Sequence, residues 1–263
     1  MAFALHRTEI KKVTDQKLLL SDDQLLIKIS QLKAEAIDLF IRAQKATNRN
    51  GEAGELILYL LTEWILGAPQ LLAKMSLKTN RQMPVHGADG IHVKFSKINS
   101  TLAFYWGESK LHEDVSGAIT SAIDSITKSL EHESIKSELT LINRYIDFSD
   151  LQPNAKTEIL KYLDPFDPMS NQRSNITTCL IGFDFDGFAK VITPTNGDNA
   201  EDAFKTLAEK RLKALSKQVS EKIRKANLSH HTIEMFFFPV PSVKTIRELF
   251  QAKIGWTNDS DVE

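Results

Sequence analysis

This chain has a single cysteine, no long apolar run and almost no net charge, and each shortage closes off a class of protein. Cys179 alone excludes an intrachain disulfide, so nothing here resembles a disulfide-stapled scaffold. The longest apolar stretch, Leu56 to Leu66, carries Glu63 and falls short of the ~18 residues of a membrane span. No basic-then-apolar leader opens the sequence. A cytoplasmic protein without membrane contact is therefore expected. Formal net charge is −1 with a pI near 6.7, so bulk electrostatics does not mark a nucleic-acid binder. Any such contact must come from a local patch or a partner. Absent too are a P-loop, the Rossmann glycine pattern and a Gly-x-Ser-x-Gly elbow, which argues against an NTPase, a dinucleotide oxidoreductase or an α/β-hydrolase. No repeat, low-complexity tract or clean linker appears. With 42% hydrophobic and 25% charged residues, the composition is otherwise ordinary for a globular protein.

What is there begins at Asp89. After the turn Gly87-Ala88-Asp89-Gly90, the stretch Ile91-His92-Val93-Lys94-Phe95 alternates apolar and polar as a half-buried strand does. The polar break Ser96-Lys97-Ile98-Asn99-Ser100 lets the chain turn back. The run Leu102-Ala103-Phe104-Tyr105-Trp106 is apolar on both faces, as in a central strand, and leads into Glu108-Ser109-Lys110. Side chains alternate along a strand, so Glu108 and Lys110 share one face while Ser109 takes the other. If the two strands pair as a hairpin, Asp89 returns beside Glu108. Two carboxylates at that point suit a hard divalent cation such as Mg²⁺, and an ammonium beside them suits the orientation of an attacking water and the stabilisation of developing negative charge. The chemistry is phosphodiester hydrolysis. The pattern on its own also fits a solvated turn and an exposed strand end. Against that, charges where a buried strand emerges are costly unless paired or metal-bound.

A third carboxylate comes from upstream. Asn50 reads as an N-cap to a helix through Gly51-Glu52-Ala53-Gly54-Glu55 and the apolar run that follows, and this helix is expected to be buried. Glu52, Glu55, Tyr59 and Glu63 fall on one stripe. Glu52 is explained by the helix dipole. Glu55, deeper beside the apolar run, is the candidate helical ligand.

The acidic helix, the Gly87-Ala88-Asp89-Gly90 turn, the strand ending Gly107-Glu108-Ser109-Lys110 and a following helix together resemble the PD-(D/E)xK nuclease superfamily. The segments GEAGELILYLLTEWIL, VHGADGIH and YWGESKLH are similar to HamA, the nuclease-like subunit of bacterial Hachiman anti-phage defence. The resemblance runs through most of the chain, with its specific motifs between residues 51 and 125. It departs from the superfamily name in one place, since Ala88 and not proline precedes Asp89. What it implies is an α/β, restriction-endonuclease-like fold, with a mixed central sheet flanked by helices and extra helices at the N-terminus and late in the chain. It implies a core site of Asp89, Glu108 and Lys110 with Glu55 as the helical acid, Mg²⁺ or Mn²⁺ as cofactor, and DNA as substrate. It also implies a partner, a HamB-like superfamily 2 helicase. The expected organisation is one nuclease-like unit over 1–263, with a helical extension at 1–48, the motif-bearing core at 49–130 and the remaining sheet and helices at 131–263. The alternative from another class is a non-catalytic module of the same fold that binds and regulates the helicase.

Elsewhere, residues 24–47 read as an amphipathic helix, and Gln70 to Met75 as a second short helix after Gly67-Ala68-Pro69. Asp114 to Leu130 and Ile135 to Ile146 read as helices. Ile176 to Phe185 and Thr232 to Phe238 read as strands that extend the sheet. Residues 258–263 are polar and expected to fray. Glu201 to Ala226 forms a clear amphipathic helix whose Lys205, Lys210, Arg211, Lys213, Lys217, Lys222, Arg224 and Lys225 outnumber its acids after the first turn. Of these, Lys210, Arg211, Lys213, Lys217 and Arg224 are candidates for contact with DNA or an acidic partner, against the ordinary reading of a solvated face. Asp184 and Asp186 in Gly182-Phe183-Asp184-Phe185-Asp186-Gly187 read as a hairpin signal in preference to a metal site. His86, His92 and His112 lack zinc-site spacing. His112 shares the Lys110 face if that strand continues, and is a candidate for proton transfer.

Overall fold

The computed structural model describes residues 2–47, 51–78, 87–96, 100–191 and 199–256. The Asn50 cap, His86, residues 97–99 of the hairpin turn and the polar tail 258–263 lie outside them. Two helices open the chain, α1 (Arg7–Asp15) and α2 (Asp22–Thr47), followed by α3 (Glu52–Trp64). Next come a three-residue strand β1 (Gln70–Leu72), a short helix α4 (Lys74–Lys78), and the hairpin strands β2 (Ile91–Ser96) and β3 (Thr101–His112). Helices α5 (Val115–Ser129), α6 (His132–Tyr145) and α7 (Pro153–Leu163) lead to β4 (Arg173–Asp184). A short α8 (Gly187–Val191), the long α9 (Ala200–Lys225), β5 (Thr232–Val240) and α10 (Val243–Ile254) complete the order.

The five strands form one sheet in the order β1-β2-β3-β4-β5. The first three pair antiparallel, and β3-β4 and β4-β5 are parallel, so the sheet is mixed and helix-flanked as expected. β4 is its centre. Seven consecutive residues, Thr177 to Phe183, are buried, the signature of a strand covered on both faces. Cys179, Ile181 and Phe183 pack towards α5 and α9 with Ala118, Ile119, Ala122 and Leu215. Leu180 faces the other way, with Ala53 and Leu58 of α3, Leu111 of β3 and Val243 of α10. Each such fully buried Leu, Ile or Phe contributes roughly 1.5–3 kcal/mol relative to exposure. A third cluster joins β1, β2 and β3 to α6 and α7 through Leu71, Ile91, Phe104, Ile142 and Leu163.

Two sequence expectations change. Gln70 to Leu72 is an edge strand, because pairing with His92 and Ile91 of β2 outweighs the helical look of a short apolar run, and the short helix begins only at Lys74. Asp184-Phe185-Asp186-Gly187 is not a hairpin. β4 and β5 are parallel, so the chain must cross over, and it does so through α8 and α9. Asp184 Oδ1 accepts the Val243 N–H at 2.6 Å at the start of α10, and Asp186 pairs with Lys190. Three helices not expected from sequence are α7, α8 and α10, and the expected N-terminal helical extension is divided into α1 and α2.

Candidate active site

β3 runs well past the start of β2. Ile91 of β2 lies opposite Trp106, so among the described residues one side of β3 has no strand partner from Gly107 onward. The turn before β2 fills part of that gap. Asp89 N–H donates to Gly107 O at 2.6 Å, and Gly107 N–H donates to Gly90 O at 2.9 Å. A Cβ on Gly107 would stand 3.1 Å from Gly90 N and 3.2 Å from Leu58 Cδ2, so a side chain here would crowd the crossing of the two backbones. Asp89 is thereby delivered beside Glu108, as the hairpin spacing predicts.

The two faces of β3 divide the remaining residues. Glu108 and Lys110 face α5, and their side chains form an ion pair at 2.5 Å. Glu108 is 9% exposed, and its carboxyl is raised above the usual range, first by burial and then by the charge of Asp89; Lys110 and a hydrogen bond from Ser125 of α5 pull the other way. Ser109 faces α3. Its backbone N–H and its hydroxyl both donate to Asp89 Oδ2, at 2.7 and 2.8 Å. Asp89 therefore stands at the sheet edge between the two faces, bound on one side and repelling Glu108 on the other. Glu55 is buried on the α3 side. Its neighbour Gly54 lies against β3, where a Cβ would sit 3.2 Å from Ser109 Oγ and 3.1 Å from Leu111 Cγ. Among the described residues no three His, Cys, Asp or Glu side chains are gathered closely enough to hold a metal ion by themselves.

A divalent cation nevertheless fits the donors present. Asp89 and Glu108 are hard oxygen ligands whose mutual repulsion already raises one of them, and Mg²⁺ typically takes one or two carboxylates, completing its shell with water and phosphate oxygens. His112 stays on the Lys110 face, since β3 reaches it. Burial, Arg247 and Lys110 lower its pKa, which favours the neutral ring. Asp114 caps α5 through Ser116 N–H and Gly117 N–H, at 3.2 and 2.6 Å, fixing the helix that covers Glu108.

Sequence alone does not single out four residues that the fold brings here. Ser125 reaches Glu108 from α5. Arg247 of α10 donates to Leu111 O at 2.6 Å across 136 positions of sequence. Lys74 and Glu138, both buried, meet at the Ala88 peptide. None has a local signal, because each acts through a tertiary contact. Cys179, beneath the site in β4, is buried, and burial pushes its thiol up, which leaves it inert.

On α9, Lys205, Lys210, Arg211, Lys213, Lys217, Arg224 and Lys225 are exposed. The helix lies along α5, with Gln218 Nε2 donating to Ser116 Oγ at 2.7 Å and Lys222 Nζ to Thr120 Oγ1 at 2.9 Å. Its basic face thus flanks the helix that covers Glu108.

Among the described residues no helix is long and apolar enough to cross a membrane. Comparison with curated proteins and with solved structures gives no match. The family model for HamA, by contrast, matches residues 1–254, nearly the whole chain, including the Asp89 turn, the Glu108 strand and the Glu55 helix. The chain belongs to the HamA family, a component of Hachiman defence.

Proposed function

We propose that this protein is a divalent-metal-dependent DNA nuclease of the PD-(D/E)xK type, the effector of a defence complex controlled by a superfamily 2 helicase. The observation that carries the reading is the convergence of Asp89 and Glu108 where β3 runs beyond β2, with Lys110 on the Glu108 face. A binding module has no evident need for two repelling carboxylates and an ammonium at a strand end.

In this reading Asp89 and Glu108 would hold Mg²⁺ or Mn²⁺; Glu55, buried on α3, forms no three-acid cluster with them and stays the proposed helical acid of the site. The bound cation supplies an acidified water and charge neutralisation at the phosphoryl oxygens. Ser109 fixes one oxygen of Asp89 and leaves Oδ1 for other contacts. Lys110 orients the attacking water and stabilises charge on the phosphate. His112, kept neutral, would accept a proton in this reading. The exposed basic residues of α9, Lys210, Arg211, Lys213, Lys217 and Arg224, supply phosphate contacts that the near-zero net charge of the whole chain cannot.

The test is cleavage of linear and supercoiled DNA by the purified chain with Mg²⁺, Mn²⁺ or EDTA, alone and with the helicase and ATP. Metal-dependent cutting that Asp89→Ala, Glu108→Ala and Lys110→Ala each abolish, in folded protein, is the expected result. Cutting retained in all three sinks the site. No cutting by an intact complex leaves a nuclease-fold module that regulates its helicase by binding.

A further inference from the structure

We propose that the buried Lys74–Glu138 ion pair is a clamp on the Ala88 peptide that positions Asp89 for metal binding. The inference rests on the reading of Asp89 as a metal ligand and assigns two residues, from α4 and α6, that lie outside every motif of the site.

The side chains of Lys74 and Glu138 are 1% and 7% exposed, and their charges meet at 2.7 Å. Lys74 Nζ also donates to Ala88 O at 2.5 Å, and the Ala88 N–H donates to Glu138 Oε1 at 2.9 Å. One ion pair therefore holds both polar backbone groups of the residue immediately before Asp89. The next N–H, that of Asp89, is held by Gly107 O. Two successive residues are tied, one to a pair of helices and one to β3, and the Asp89 carboxylate can vary only about its own side-chain torsions. Ser109 fixes those. Gly87 makes room for the clamp. Its φ is +111°, and a Cβ there would lie 2.0 Å from Glu138 Oε1.

Stability does not account for such a pair. Desolvating two charges is expensive, and apolar side chains of similar volume often serve a fold as well or better. What apolar side chains cannot supply is an acceptor and a donor for Ala88. Metal sites depend on neighbours that orient their ligands, and losing such a neighbour typically weakens metal affinity roughly 10- to 100-fold. Lys74 and Glu138 act through the backbone and touch no substrate, so they are positioning residues.

The experiment compares the wild-type chain with the apolar double variant Lys74→Met/Glu138→Leu and with Glu138→Gln, which keeps an acceptor for the Ala88 N–H. Mn²⁺ binding is read from the electron paramagnetic resonance of free Mn²⁺, thermal melting is recorded in EDTA, and cleavage by the helicase complex is measured against metal concentration. The double variant is expected to melt below wild type, because the Ala88 N–H and carbonyl lose their partners, and, where folded, to bind Mn²⁺ about tenfold more weakly or worse. The metal concentration for half-maximal cleavage should rise accordingly, while kcat at saturating metal changes far less. Glu138→Gln should recover most of the affinity. A folded double variant that binds Mn²⁺ as tightly as wild type overturns the clamp and leaves the site intact. Wild-type protein that binds no Mn²⁺ overturns the site, and the clamp with it. If the double variant does not fold, hydrogen exchange at the Ala88 amide of wild type decides: exchange only through global unfolding supports the clamp, and fast local exchange refutes it.

Discussion

Ser109 binds Asp89 twice, through its backbone N–H at 2.7 Å and its hydroxyl at 2.8 Å, both to Oδ2. The residue of the Glu-x-Lys motif that reads as a spacer in sequence is thus the one that aims the other acid. Ser109→Ala removes one of the two bonds and keeps the other. A hydrogen bond to a charged group contributes about 1.5–3 kcal/mol, so a decrease near the lower end of that range is expected in urea unfolding. Metal-dependent cleavage should fall with it, through a higher metal requirement. Unchanged unfolding would show that the hydroxyl does not hold the carboxylate.

Glu108 titrates against the fold. Burial and Asp89 raise its carboxyl above the value in the unfolded chain. A raised group contributes stability that is fully present below the unfolded pKa and is lost as pH rises through the folded one. At neutral pH the ionised carboxylate is then a liability in metal-free protein. Glu108→Gln is expected to melt above wild type in EDTA at about pH 7 to 8, with the advantage vanishing towards about pH 4, and added Mg²⁺ should raise the melting temperature of wild type alone. A variant that melts lower across the whole range would contradict this.

His92 is the opposite case. It is 2% exposed, with its Nδ1 at 2.8 Å from Ala68 O, and burial holds its pKa down to about 4. A lowered pKa contributes stability present above the unfolded value of about 6.5 and lost as pH falls through the folded one. Between those limits the chain should lose roughly 3 kcal/mol from this residue alone, by linkage. Urea midpoints from about pH 7 down to about pH 4 measure it. His92→Gln keeps a donor for Ala68 and should flatten that slope.

Gly87→Ala tests the turn itself. The positive φ strains any residue with a side chain, and a methyl group would push Glu138 Oε1 aside. A cost of about 1–3 kcal/mol is expected from backbone strain, more if Glu138 is displaced. Differential scanning calorimetry reads the stability, and the Mn²⁺ titration shows whether the site fails with it.

Charge reversal at Lys210, Lys213 and Lys217 probes α9. These side chains are exposed, so the melting temperature should stay where it is. DNA retention should weaken, and the dependence of binding on salt should become shallower by about one for each phosphate no longer neutralised. Binding with an unaltered salt slope would return this face to ordinary solvated surface.

The geometry of the hairpin is legible in sequence because it is local: alternation in β2, the apolar run of β3 and the spacing of Asp89 from Glu108 suffice to bring the acids together. β4 and β5 are legible from β-branched and aromatic runs between turn residues, and α5 and α9 from helical periodicity. The departures share a cause. Gln70 to Leu72 becomes a strand only because β2 is there to pair with it, and Asp184 to Gly187 fails as a hairpin only because β5 arrives parallel. Two of the unexpected helices do carry signals: Pro153 at the first position of α7, and Ser242 and the left-handed Gly255 at the two ends of α10. Lys74 and Glu138, 64 positions apart, carry none.

The bond from Arg247 to Leu111, spanning 136 positions, also orders events during folding. The acid pair belongs to a hairpin that can close quickly, whereas the parallel pairings of β4 and the docking of α10 require the whole chain and close slowly. Emerging from the ribosome, the protein carries the Asp89–Glu108 hairpin before the last helix reaches Leu111. Until then the Leu180 face of β4 is covered by α3 but not by α10, and that interval is the one in which the chain is most exposed to aggregation.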